Sequence, residues 1–255
     1  SKNIALVSGS TVDLGSLTTT GTLSVTSSGA VTDSGALAIT GTTTIAAGSG
    51  NSITLDNTSN NFQGAVSITT GNNVTLVDAG AIDLGASTVS GTYAVTATSG
   101  GDITDSGVLA ITGASTLTVA GGQNITLDQS STFTGAVTFA ASSGTLAAVT
   151  INDSTAFDLK AMTLTGNLSV TAGGAVTDSG ALVIPGTTTI AAGSGNNITL
   201  DGTSNNFTGA VIITSGNNVT LVDAGALVLG ASTVSGTFAV TATASGDITN
   251  TGALA

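Results

Sequence analysis

Residues 21–64 read GTLSVTSSGAVTDSGALAITGTTTIAAGSGNSITLDNTSNNFQG, and residues 166–209 read GNLSVTAGGAVTDSGALVIPGTTTIAAGSGNNITLDGTSNNFTG. The copy extends from Gly21–Gly107 onto Gly166–Gly252 at a constant offset of 145, so Asp56 matches Asp201 and Phe62 matches Phe207. Self-similarity on this scale marks an array whose units bury their apolar faces against their neighbours. Inside the quoted stretch, Leu23-Ser-Val25-Thr and Ile53-Thr-Leu55-Asp put an apolar residue at every second position. That is the period of a strand with one face inward and one outward. Gly, Ser and Asn separate the runs and supply corners.

The copy divides further. Ile or Val, usually followed by Thr, opens a run at Ile4, Val31, Ile53, Val74, Ile103, Ile125, Val149, Val176, Ile198, Val219 and Ile248. The spacings are 27, 22, 21, 29, 22, 24, 27, 22, 21 and 29 residues, which group into periods of 70, 75 and 70. Ile4–Thr26 aligns on Val74–Thr96 without a gap, with Asp13-Leu-Gly falling on Asp83-Leu-Gly. One segment, 1–255, is therefore expected, with modules 4–73, 74–148, 149–218 and a partial 219–255. Turns of 21–29 residues, each holding several short strands, predict an all-β, right-handed parallel β-helix of about ten rungs in three-rung modules. The sequence has no initiator Met and opens and closes inside a repeat, so it reads as an excerpt of a longer protein.

Composition removes most chemistries. There are 14 acidic residues, all Asp, against Lys2 and Lys160, with no His, Cys or Trp and a formal charge of −12. Capture of nucleic acid needs Lys and Arg to neutralise phosphates, so no nucleic-acid partner is expected. The chain is 40% hydrophobic and strictly patterned, which argues against disorder. No apolar run reaches the ~18 residues of a membrane helix, so no membrane insertion is expected.

Phe62, Phe133 and Phe207 occupy equivalent positions and read as core. Asn72-Asn73, Asn124, Asn196-Asn197 and Asn217-Asn218 each precede a run and read as corners whose amides can bond one turn away. Asn73-Val-Thr and Asn197-Ile-Thr are glycosylation sequons in form and a by-product of the repeat in origin. Asp33, Asp56, Asp78, Asp105, Asp128, Asp153, Asp178, Asp201 and Asp223 each follow a run start closely. They fit two readings, a corner in which the carboxylate accepts a backbone N–H, or a ladder of calcium sites built from oxygen ligands. Asp13, Asp83 and Asp158 recur once per module, with Val228 in the fourth place. A carboxylate pair for glycoside cleavage needs two acids in differentiated surroundings, and repeated acids without Glu, His or Arg do not provide it. No enzyme, and no catalytic, cofactor or metal site, is assigned, with calcium left open. Thr42-Thr-Thr44 and Thr187-Thr-Thr189 raise a third possibility, a flat hydroxyl array of the kind that binds ice.

The segments Val31-Thr-Asp-Ser-Gly-Ala-Leu37 and Gly71-Asn-Asn-Val-Thr-Leu76, each repeated at +145, resemble the shaft of filamentous-haemagglutinin-like bacterial adhesins and the related β-strand-repeat surface proteins. The resemblance covers the whole chain, though the turns of those proteins are usually shorter and more uniform. It implies a β-helical shaft at the bacterial cell surface, acting in adhesion, aggregation or biofilm cohesion. Its implied partners are neighbouring repeats, sister fibres, and host or sibling cells reached through domains outside this segment. A filament or sheath subunit polymerising through the β-helix ends is the alternative.

Overall fold

In a computed structural model, which describes residues 2–244 and 246–255, the described residues contain no helix and the strands stack in parallel. The fold is an all-β solenoid of about twelve turns. Its chain forms two compact units, Ser1–Gly144 and Thr145–Ala255.

In the first unit, one ladder stacks Ile4–Ser8, Leu23–Ser27, Thr43–Ala46 and Val66–Thr70. A second runs Val12, Val31, Ile53, Val74, Tyr93, Ser115 and Val137, in steps of 19, 22, 21, 19, 22 and 22 residues. A third begins with Leu17–Thr19, Leu37–Ile39 and Asn61–Phe62. The second unit repeats the arrangement. Val149, Leu168, Thr188, Val211 and Leu229 stand in one ladder, in steps of 19, 20, 23 and 18. Phe157, Val176, Ile198, Val219 and Phe238 stand in the next. Each turn thus lays down three short strands, one per face.

The turns in these ladders are 18–23 residues long, where the run spacings suggest 21–29, and this accounts for about twelve turns rather than ten. The cause is that the run-start signal does not stay on one face. Ile4 belongs to the first ladder and Val31 to the second, so their 27-residue spacing covers a turn and one further face. Val149 and Val176 are related in the same way. The module inherits the step: Ile4 and its equivalent Val74 lie on adjacent faces, as do Val149 and Val219. A 70-residue module is three turns plus one face.

Alternation fills the interior. Leu23 and Val25, Ile53 and Leu55, and Leu76 are buried, as are Phe62, Phe133 and Phe207. Volume is balanced within a turn. Where the inward residue is Leu23 or Leu168, the residue six positions earlier is Leu17 or Met162. Where it is Tyr93 or Phe238, that residue is Ser87 or Ser232, and the small side chain leaves room for the ring. The serine hydroxyl is satisfied by backbone: Ser87 Oγ accepts from Ile68 N–H at 3.0 Å and donates to Gly85 C=O at 2.8 Å.

Corners bring backbone against backbone. Gly41 N–H donates to Gly21 C=O at 3.0 Å, and a Cβ on Gly41 would lie 2.6 Å from that oxygen. Gly41→Ala is expected to cost about 1–3 kcal/mol through overpacking. Gly50→Ala, with nothing within 4 Å of the added Cβ, is expected to be near neutral. Thermal denaturation of the two variants checks the contrast.

Candidate functional site

The polar residues with the most organised surroundings sit at the corners. The nine recurrent aspartates divide into inward and outward members. Asp33, Asp78, Asp105, Asp153 and Asp223 are buried, and Asp178 is half-buried. Asp56, Asp128 and Asp201 are exposed.

In the first group the inward carboxylate reaches to the next turn. Asp33 Oδ1 accepts the N–H of Asp56 at 3.0 Å, and its Oδ2 accepts from Asn60 Nδ2 at 2.6 Å. Asn60 Oδ1 in turn accepts the N–H of Leu37 at 2.9 Å, and its C=O accepts Ala79 N–H at 2.7 Å. One buried asparagine, through its amide and its backbone C=O, therefore ties its own turn to the turns on either side. Asp78 completes the stack, with Oδ2 accepting Phe62 N–H at 2.7 Å and Oδ1 accepting Gly80 N–H at 2.6 Å. Burial pushes the Asp78 carboxyl up from the ordinary carboxylate range, against the pull of those two donors.

The second unit rebuilds this clasp. Asn205 Nδ2 donates to Asp178 Oδ2 at 2.8 Å, Asn205 Oδ1 accepts Leu182 N–H at 3.0 Å, and Asp223 Oδ2 accepts Phe207 N–H at 2.6 Å. Asp153 takes the own-corner form, Oδ1 accepting both N–H and Oγ1–H of Thr155 at 2.7 Å. The corner reading of the aspartates thus describes Asp153 and one oxygen each of Asp78 and Asp223, whose other oxygen bonds across turns, as do Asp33, Asp105 and Asp178. The amides of Asn60 and Asn205, which hold the clasp, were not legible as special in sequence. Their signal was a difference: Asp128-Gln-Ser-Ser131-Thr-Phe133 is one residue shorter than Asp56-Asn-Thr-Ser-Asn60-Asn-Phe62. Ser131 stands in the amide's place and accepts Leu109 N–H at 2.9 Å.

The other polar residues are dispersed. Register sets Asp13, Asp83 and Asp158 beside Thr32, Thr104 and Thr177, so these ladders put no second acid beside any of them. Asp158 Oδ2 pairs with Lys160 Nζ at 2.7 Å and accepts from Ser179 Oγ at 2.7 Å. Desolvation is the largest influence on the Asp158 carboxyl and raises it, but its donors together bring it below the usual value. The Ser34 hydroxyl, with backbone N–H of Gly15 and Ser34, holds Asp13 low. Asn73 Oδ1 accepts Thr92 N–H at 3.0 Å, and Asn218 Nδ2 donates to Asn197 Oδ1 at 3.2 Å, the bond to the neighbouring turn expected of corner amides. The threonine rows do not lie flat outward, since Thr43 and Thr188 point into the core and are buried. The outward threonines form a file across turns instead, Thr32, Thr54 and Thr75. A shallow notch of about 130 Å³ between Thr88, Ala110, Ile111, Thr112, Thr132 and Thr134 holds no titratable group. Among the described residues no three acids converge as a cation cage requires, and no helix is long and apolar enough to cross a membrane.

Four stretches of the chain, residues 1–69, 71–140, 146–214 and 216–255, match the family model described as repeats of unknown function (DUF5649). The chain belongs to that family. No curated protein and no solved structure matches it. The matched DUF5649 repeats begin at 1, 71, 146 and 216, the same 70-, 75- and 70-residue rhythm as the run starts. In structural terms a 70-residue DUF5649 repeat is therefore three turns and one face of a solenoid.

Asn60→Ala would strand the Leu37 N–H and one Asp33 oxygen in the interior, each costing about 1–3 kcal/mol. A loss of about 2–4 kcal/mol is expected from urea denaturation. Asn61→Ala, at the adjacent exposed position, is expected to stay within about 0.5 kcal/mol of the parent.

Proposed function

We propose that this DUF5649 chain is a structural stalk or fibre segment of a large extracellular bacterial surface protein, an adhesin or surface filament. It supplies rigid reach for adhesion, aggregation or biofilm cohesion. Its partners are neighbouring repeats and sister fibres, and cell surfaces contacted through other domains. On this reading the segment catalyses nothing and carries no ligand of its own.

The observation behind the proposal is the duplication of the clasp. Asp33–Asn60–Asp78 and Asp178–Asn205–Asp223 use the same atoms for the same bonds, and those bonds all run to backbone or to each other. A recognition site concentrates differentiated groups in one place. Here the organised polar groups are repeated and are consumed in holding turns together.

A second reading is assembly of rods end to end. Strands stacked in parallel leave an unpaired edge at each end of a rod, and such edges favour addition of further strands.

In the full-length surface protein, adhesion is expected to vary with the number of repeats and to tolerate alanine substitution of outward residues in any single turn. A single turn whose outward substitutions abolish binding of a soluble ligand, with the fold intact, would overturn the stalk reading. Electron microscopy of the purified segment separates the two readings, since long unbranched fibres are expected only from end-to-end assembly.

A further inference from the structure

The clasp centred on Asp105 lacks a part. Its Oδ1 accepts the N–H of Asp128 at 2.8 Å, as Asp33 does for Asp56 and Asp178 for Asp201. In those two copies the other carboxylate oxygen accepts from the buried amide of Asn60 or Asn205. Here the shorter chain presents Ser131, whose hydroxyl is engaged with Leu109 N–H, and Asp105 Oδ2 is buried without a donor. Tyr93, fully buried on the neighbouring face, is close enough to Asp105 to feel its charge.

We propose that the Asp105 corner is an acid-tightened clasp: proton uptake by its carboxyl removes a buried negative charge from an oxygen that, unlike its counterparts beside Asn60 and Asn205, no amide donor reaches. Three acids and a phenol are set around it, and the Asp128 charge reinforces the effect. Asp128 faces it from the following turn, Asp83 precedes its register partner Leu84 in the turn before, Asp102 stands at the start of its own run, and Tyr93 approaches from the side. Burial holds the Tyr93 phenol in its neutral form, so it adds no charge beside Asp105.

Burial, the largest cause, raises the Asp105 carboxyl to about 6 from 3.8, with the Asp128 charge adding to the rise and the Asp128 and Gln129 N–H groups opposing it. A group whose folded value lies above its unfolded value stabilises the protonated fold. The clasp therefore tightens as pH falls through about 6 and has its full strength below the unfolded value.

The test uses the whole chain and two measurements. The ¹³C carboxyl resonance of Asp105 is expected to titrate with a midpoint near 6. Hydrogen-exchange protection of the Asp128 and Gln129 amides, corrected for intrinsic rates, is expected to rise about tenfold from pH ~7.5 to ~5. Protection of Asp56 and Asn57, which serve the complete clasp, should change far less. Asp105→Asn should remove the pH response of Asp128. If that variant does not fold, the two measurements on the parent decide alone. A carboxyl midpoint below about 4.5, or equal pH responses at Asp56 and Asp128, would overturn the proposal.

Discussion

The stack depends on keeping every backbone N–H supplied with an acceptor one turn away, including where the chain bends. Along the faces this is automatic, because parallel strands in register bond evenly to their neighbours. At corners the strand geometry is lost, and buried backbone groups left unpaired are costly. Two solutions recur. Glycine corners let the backbone approach closely enough to continue the ladder directly, as Gly41 does on Gly21. Elsewhere a side chain replaces the missing acceptor, and the aspartates and buried asparagines are placed for that purpose. Their recurrence follows from the recurrence of the bend.

This explains how an unusually acidic chain can carry carboxylates inside. Asp33 and Asp178 each accept three hydrogen bonds, from two backbone N–H groups and one amide. Bonds to an ionised acceptor are stronger than neutral ones and offset part of the desolvation. The same reasoning separates the inward acids from Asp56, Asp128 and Asp201, which meet water.

Much of the fold could be read from the chain before the coordinates. Two-residue alternation in Leu23-Ser-Val25 and Ile53-Thr-Leu55 identifies strands and their inward faces, and the phenylalanines are buried as their equivalence suggests. The turn length was less accessible, because the strongest local signal, Val or Ile followed by Thr, recurs on different faces. Short strands such as Leu17–Thr19 and Leu37–Ile39 carry no such signal and pass unnoticed. The clasp was half legible. Asp33 and Asp78 stand out by periodicity, but Asn60 sits among polar neighbours in Thr-Ser-Asn-Asn, and only the fold distinguishes it from exposed Asn61. The exchange of Leu17 with Leu23 for Ser87 with Tyr93 likewise needs the knowledge that the two positions share one interior.

The extra face in each 70-residue module couples copy number to direction. Gain or loss of one 70-residue unit changes the distance spanned and also turns everything beyond it by about a third of a revolution, since each turn has three faces. At a third of a revolution each, three such 70-residue units in succession would make one full revolution. A repeat commensurate with its turn would line identical side chains along one stripe, and like charges would accumulate there. The incommensurate repeat winds them around the axis instead, so expansion or contraction of the array leaves no side distinguished from the others.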